Sequence, residues 1–207
     1  MDQKGILIVV SGFAGTGKGT IMKRLLQKYA DNYALSVSMT TRAPRPGEQE
    51  GVEYFFTDRE AFEKKIAEGG LIEYASYCGN YYGTPREYVK SQMEAGKDVI
   101  LEIEVQGALQ VKEKYPETVL MFVVPPSART LYERIRGRGT ETDEVISARM
   151  HRAVEECEYI PGYDYLLVND DLETCVEQMH HIISSEKMSV ARNVAFIEEI
   201  SSELQEL

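Results

Sequence analysis

Cysteine is scarce: three residues, Cys78, Cys157 and Cys175, lie far apart with no CxxC pair among them. That argues against a disulfide framework and predicts reduced thiols in a cytoplasmic protein. Histidine is equally sparse. His151, His180 and His181 bring no third ligand at metal-binding spacing and read as surface residues of helices. Positive charge is in deficit, with 23 Lys and Arg against 34 Asp and Glu and a net charge of −11. A nucleic-acid coat or a membrane-surface binder needs the opposite balance, whereas a locally basic phosphate site does not. No apolar run approaches the roughly 18 residues of a membrane span. The start, MDQKGILIVVSG, has too short an apolar stretch, and no small-residue cleavage site follows, so no signal peptide is expected. What is present suits one domain with a sizeable core: 207 residues, 43% of them hydrophobic and 28% charged.

Buried-strand runs alternate with helical periodicity. Ile6 to Val10, Val99 to Ile103, Val119 to Val124 and Tyr165 to Val168 are continuous aliphatic stretches, the mark of strands covered on both faces. Ile21, Leu25 and Tyr29 fall on one helical stripe with Met22 and Leu26 beside it. The alternation predicts an α/β fold with a mainly parallel sheet flanked by helices. Residues 35–97 break the rhythm and read as an inserted subdomain. Short antiparallel strands are expected at Ser36 to Ser38, Val52 to Phe56 and Leu71 to Tyr82, turning at Gly79-Asn80. Helices are expected after caps at Thr57, with Glu60 completing a capping box, and at Thr84, with Pro85 next and Gly96 at the far end. Residues 127–152 hold Arg129, Arg134, Arg136, Arg138, Arg149 and Arg152 and read as two helices joined by a turn. A further helix begins after Asp170 and runs toward the C-terminus. There Val190, Val194, Ile197 and Leu204 form a stripe that would pack on the core or against a partner.

The sharpest signal is the strand Ile6 to Val10 running through Ser11 into Gly12-Phe13-Ala14-Gly15-Thr16-Gly17-Lys18-Gly19-Thr20. Backbone N–H groups of such a loop and the dipole of the helix that follows make an anion nest, and Lys18 would reach β- and γ-phosphates. The usual hydroxyl after the lysine is displaced by Gly19 to Thr20. A second signal is Glu102 and Glu104 at the end of a buried strand. There a P-loop protein holds Mg²⁺ and its waters, and a period of two would point both side chains the same way.

Ser36-Val37-Ser38-Met39-Thr40-Thr41-Arg42-Ala43-Pro44-Arg45-Pro46-Gly47-Glu48 resembles the GMP-binding signature of guanylate kinases. Gly51-Val52-Glu53-Tyr54-Phe55-Phe56, Glu73-Tyr74-Ala75, Gly79 to Thr84 and Glu102 to Gly107 continue the resemblance. Arg134 to Glu141 is similar to the family's lid, and Val168-Asn169-Asp170-Asp171 to its late strand end. The likeness covers roughly residues 5–185 and implies a P-loop core (5–34, 98–126, 157–185), a GMP-binding insertion of mixed α/β structure (35–97) and a helical lid (127–156). Residues 186–207 are left as a C-terminal helical extension. It implies reversible phosphoryl transfer from ATP to GMP, in purine nucleotide metabolism. Residues 12–20 and Asn169 would bind ATP. Arg42, Arg45, Tyr54 and Tyr82 would hold the GMP phosphate. Ser38, Glu73 and Thr84 would read guanine, with Glu104 near the same nucleotide. Lys18, Arg138, Arg149 and Arg134 would be catalytic. Mg²⁺ would be held mainly by substrate phosphates and waters, with Glu102 and Thr20 as candidate protein ligands. For Thr84 the helix cap is the stronger expectation from sequence alone. Asn169 and Asp170 would border the adenine, and for Asp170 a plain helix cap stays equally open. Neither dGMP as a second acceptor nor the choice between monomer and homodimer is decided.

Competing readings are a non-catalytic module of the same fold that binds phosphorylated peptides, a kinase for another nucleoside monophosphate, and a nucleotide-binding regulator. The first is expected to lose Lys18, Arg138 and Arg149, all present here. Glu73 and Tyr82 favour guanine over other bases.

Overall fold

The computed structural model describes residues 4–77, 79–137 and 142–207. Along the chain run β1 (Leu7–Gly12), α1 (Lys18–Lys28), β2 (Tyr33–Leu35), β3 (Ser38–Thr40), β4 (Tyr54–Phe56), α2 (Arg59–Ala67), β5 (Leu71–Tyr77), β6 (Asn80–Pro85) and α3 (Arg86–Glu94). Then come β7 (Asp98–Glu102), α4 (Val105–Lys114), β8 (Val119–Val124), α5 (Ala128–Arg136), α6 (Asp143–Cys157), β9 (Tyr165–Val168), α7 (Leu172–Lys187) and α8 (Val194–Glu206).

The main sheet has the order β2-β7-β1-β8-β9, and every pairing in it is parallel. β1 is its central strand. Ile6, Ile8 and Val10 face a core layer with Ile21 and Leu25 of α1 and Val176 and Met179 of α7. Leu7 and Val9 face the opposite layer, with Val89 of α3 and Ala108 and Val111 of α4. Burial on both faces is why the strand is an unbroken apolar run rather than an alternating one. A third cluster joins Phe13 and Phe122 to Leu131, Ile135, Ile146 and Ala153, and so roots α5 and α6 beside the glycine-rich loop. Among the described residues no helix is long and apolar enough to cross a membrane.

The insertion carries a second sheet, β4-β3-β6-β5. β5 and β6 form an antiparallel hairpin, and β3 pairs antiparallel with β6. β3 and β4, expected antiparallel, pair in parallel. Residues 41–53 are long enough to carry the chain back to the start of β3, and parallel neighbours need a crossover of about a dozen residues. Asn80, expected in the turn, is already in β6 and paired with Tyr77, and Gly79 takes φ +78°. Cys78 lies outside the described residues.

Caps move by one residue in two places. Asp58, not Thr57, accepts from the amide of Ala61, and Asp171, not Asp170, accepts from Thr174. Thr84 is not a cap at all. Pro85 closes β6 and precedes α3 without a side-chain bond, and Thr84 lies within β6, fully buried. His180 also departs from the surface reading. Its ring stacks on Tyr29 at 3.8 Å and shares a hydrogen bond of 2.7 Å with the Tyr33 hydroxyl. Helix α7 ends at Lys187, and α8 has no buried residue. Val190, Val194, Ile197 and Leu204 stay exposed rather than packed on the core.

Candidate active site

Leaving β1, the chain closes a loop over residues 13–17 before α1 begins at Lys18. Thr16 is fully buried; its hydroxyl donates to the Phe13 carbonyl at 2.9 Å. The amide of Asn169, just beyond β9, donates to the Thr16 carbonyl at 2.7 Å and pins the loop from outside. Gly17, at φ +87°, caps α1 without a side chain, so no side-chain acceptor closes the helix's first turn and its dipole is left to an anion. A methyl group on Gly17 would stand 2.8 Å from Nδ2 of Asn169. Gly17→Ala therefore brings about 1–2 kcal/mol of left-handed strain and drives Asn169 off the loop. The expected result is a KM for ATP raised about tenfold, one decade per 1.4 kcal/mol, with guanosine binding unchanged by calorimetry. Lys18 Nζ donates to the carbonyls of Gly12 at 2.6 Å and Phe13 at 3.2 Å, folded over the loop it serves. Gly19 has open space around it, and Thr20 is exposed beyond it.

The acidic pair is built differently from its expectation. Glu102 is the last residue of β7, but Glu104 is the extended residue before α4, so the two do not share a strand face. Ser11 donates to the Ile103 carbonyl between them at 2.8 Å, tying this corner to β1. Both carboxylates nevertheless border a cleft of about 270 Å³ with Gly12 and Lys18. Glu102 is exposed to solvent there, yet the protein around its carboxyl raises its pKa, and Lys18 opposes that shift. Glu104 pairs with Arg152 of α6 at 2.8 Å.

Glu102, Ile103 and Glu104 also border a second, larger cleft of about 470 Å³. Ser38, Tyr54, Glu73 and Tyr82 line it, as does Arg152. Glu73 lies where β5 bulges between Leu71 and Tyr74, an irregularity that re-aims a side chain out of the strand's alternation. It is 6% exposed, and the Thr84 hydroxyl donates to its Oε1 at 2.7 Å. A side chain on Gly107 would come within 3.4 Å of its Oε2, so the glycine leaves room for the carboxylate beside α4. Burial raises the Glu73 pKa, with the Thr84 hydrogen bond working against it and Glu104 adding to it. At the cleft's rim Arg42 lies 5.3 Å from the Tyr54 ring, and Glu48 first and Tyr82 after it raise its pKa. Arg45 is exposed on the same loop. The cleft thus unites Ser38, Tyr54, Glu73, Tyr82 and Glu104, with Thr84 behind Glu73 and Arg42 at the edge.

Of the lid arginines, Arg134 donates to the Asn169 carbonyl at 2.9 Å, which couples α5 to the residue pinning the loop. Arg149 is half-buried on α6. Arg138 lies outside the described residues. Arg152 is salt-bridged to Glu104 and Glu156, and it also reaches the larger cleft. Its spacing of three from Arg149, which puts the two on one helix face, was the available signal.

A phosphate loop and a base-sized cleft sharing one acidic floor, with arginine-bearing helices at the side, are the parts of a P-loop nucleotide phosphotransferase with two substrate sites. Sequence comparison narrows the class. A family model described as guanylate kinase matches residues 4–186. The guanylate kinase of Halalkalibacterium halodurans is 54% identical over 184 residues, covering 89% of this chain and 90% of the relative. That of Latilactobacillus sakei is 48% identical over 192 residues, covering 93% and 95%. A crystal structure of guanylate kinase from Anaplasma phagocytophilum superposes with a TM-score of 0.71 at 34% identity, covering 92% of this chain and 90% of that one. The chain belongs to the guanylate kinase family.

Proposed function

We propose that the two clefts divide the family's reaction, transfer of the γ-phosphoryl of ATP to GMP with release of ADP and GDP. ATP sits with its phosphates in the loop of residues 12–20, under Lys18, with Asn169 holding that loop in shape. GMP occupies the larger cleft, its guanine on Glu73 and Ser38 and its phosphate toward Arg42, Arg45, Tyr54 and Tyr82. Thr84 orients Glu73 rather than capping a helix. The observation that carries this reading is the shared floor: Glu102, Ile103 and Glu104 border both clefts, so two bound nucleotides would meet phosphate to phosphate.

No protein nucleophile is required. An oxygen of the GMP phosphate forms the new bond to the γ-phosphorus while the bond to the β,γ-bridging oxygen breaks. The protein's task is to position both phosphates and to balance the charge that spreads over the moving oxygens. Lys18 does this from the loop, Arg134 and Arg149 from α5 and α6, and Arg138, outside the described residues, acts with them. The lid and the insertion closing on the two anions would exclude water.

Mg²⁺ fits this site. Among the described residues no three His, Cys, Asp or Glu side chains converge into a cage. Glu102 offers a hard oxygen beside Lys18, which suits an ion held by one carboxylate, phosphates and waters. Thr20 is the second candidate. When bound, the ion supplies charge neutralisation at the β- and γ-phosphates. Each copy would carry its own set of these groups, so the reading serves a monomer or a homodimer, in the cytoplasm where its thiols stay reduced.

A coupled assay of ADP release with ATP and GMP, dGMP, AMP, UMP or CMP tests the reading. Turnover is expected with GMP and, as a second acceptor, dGMP. AMP is expected to fail by a factor of about 10⁴, as sites built on buried hydrogen bonds reject ligands lacking them. Excess EDTA should stop the reaction and added Mg²⁺ restore it. Equal rates with AMP and GMP would overturn the assignment of the larger cleft to guanine.

A further inference from the structure

We propose that Glu48 is a positioning residue for acceptor binding: it sets the guanidinium of Arg42 and the backbone of Arg45 in place for the phosphate of GMP. This rests on the reading of Arg42 and Arg45 as the phosphate clamp. One carboxylate oxygen of Glu48 accepts from Arg42 Nη2 at 2.9 Å, and the other from the amide of Arg45 at 2.7 Å. The Glu48 amide in turn donates to the Arg45 carbonyl at 3.1 Å, closing the loop on itself. Gly47 permits that closure, with φ +92° and nothing within 4 Å of a would-be side chain.

The rest of Arg42 is held from other directions. Its Nη1 donates to the Ala43 carbonyl at 2.8 Å, its backbone amide donates to the Thr40 hydroxyl, and its guanidinium stands against the Tyr54 ring. A long arginine normally gives up rotamer freedom when an anion binds it, and that loss weakens binding. Here the fork is fixed beforehand. The side chains of Arg42 and Glu48 are 15% and 17% exposed, whereas the arginine of each other described arginine–carboxylate pair of the insertion and lid is more than half exposed. Arg42 and the Arg45 amide hold the Glu48 carboxyl below the usual carboxylate range, so it stays ionised across neutral pH. The carboxylate also brings a negative charge near the expected phosphate. With both its oxygens already bonded, orientation outweighs that repulsion.

The test is a double-mutant cycle read with two ligands. Dissociation constants of GMP and of guanosine are measured by calorimetry for the wild type, Glu48→Gln, Arg42→Ala and the double variant, with melting temperatures as a check of folding. Glu48→Gln keeps the size and removes the charge. It is expected to weaken GMP about tenfold while leaving guanosine within about twofold, because guanosine has no phosphate for the clamp. In steady-state kinetics the loss should fall on the KM for GMP and spare the KM for ATP. In the Arg42→Ala background, Glu48→Gln should change GMP binding by less than about twofold. Additive losses, an equal loss for guanosine, or tighter GMP binding with Glu48→Gln would each overturn the proposal. Tighter binding would mean that the carboxylate competes with the phosphate. If Arg42→Ala itself left GMP binding intact, the phosphate-clamp reading would fail, and the proposal with it.

Discussion

Lys18→Ala is expected to lower kcat by about 10²–10³-fold, the range seen when one preorganised donor to developing charge is removed. The melting temperature should hardly change. The reason lies in where Lys18 stands. It opens α1 and is half exposed, and it donates to carbonyls of the loop itself, Gly12 and Phe13. It fills no part of the core that packs α1, which rests on Ile21, Met22 and Leu25. Its charge is aimed instead into the cleft it shares with Glu102. Lys18 holds the Glu102 carboxyl down against the upward pull of burial, so the variant should also show the acidic limb of its pH–rate profile moved to higher pH. Circular dichroism and thermal melting establish the fold, and single-turnover kinetics with saturating ATP and GMP measure the step. Residual activity within about tenfold of wild type would mean that the charge contributes less than 1.4 kcal/mol to the transition state.

The parts of this site were unequally legible. The loop could be read because it is local: a buried strand, glycines at fixed places and a lysine opening a helix all lie within a few turns of chain. The strands β1, β7 and β8 could be read because burial on both faces writes an unbroken apolar run, whereas β9, at the sheet edge with Leu166 and Val168 exposed, is apolar without that burial. β2 could not, since Tyr33–Leu35 is three residues long and leaves no pattern. The pairing of β3 with β4 depends on the path of residues 41–53, and strand composition does not record direction. Caps slipped by one where two cap-forming residues adjoin, Thr57 with Asp58 and Asp170 with Asp171.

Thr84 shows the deeper limit. Its local sequence, followed by Pro85 and Glu87, fits a helix start, but a tertiary partner eleven residues back takes the hydroxyl. A buried carboxylate needing a donor outweighs a cap worth about 1 kcal/mol. Arg152 and Glu48 carry no local signal of their roles for a related reason. A charged side chain on its own reads as solvated, and what it touches across a cleft or a loop is not written beside it.

Glu73→Gln separates recognition from stability, and the two should move in opposite directions. Guanine presents adjacent donors, N1–H and the exocyclic amine, and an ionised carboxylate accepts both. Glutamine keeps the shape but turns one acceptor into a donor facing a donor. The expected fall in kcat/KM for GMP is roughly ten- to several-hundredfold, with ATP binding little altered. Stability follows from the raised pKa. Burial makes the charged form of Glu73 costly in the folded chain, more than Thr84 and Lys114 offset. A carboxyl whose folded pKa lies above its unfolded value binds more protons when folded, so its contribution to stability declines as pH rises through that interval. At neutral pH the wild type therefore carries the cost of a buried charge that Glu73→Gln lacks. The variant should melt at the same temperature or higher, with the difference shrinking as pH falls toward the folded pKa of Glu73. GMP reverses the shift, because its two donors favour the ionised form. Binding to the wild type should then release more protons near that pKa than binding to the variant, whose release comes from the GMP phosphate with its second pKa of about 6. Calorimetry of GMP binding in two buffers of different ionisation enthalpy reads the proton release directly. A variant with unaltered GMP kinetics and unaltered rejection of AMP would take Glu73 out of the recognition site. Equal proton release in wild type and variant would assign the titration to another group, the GMP phosphate included.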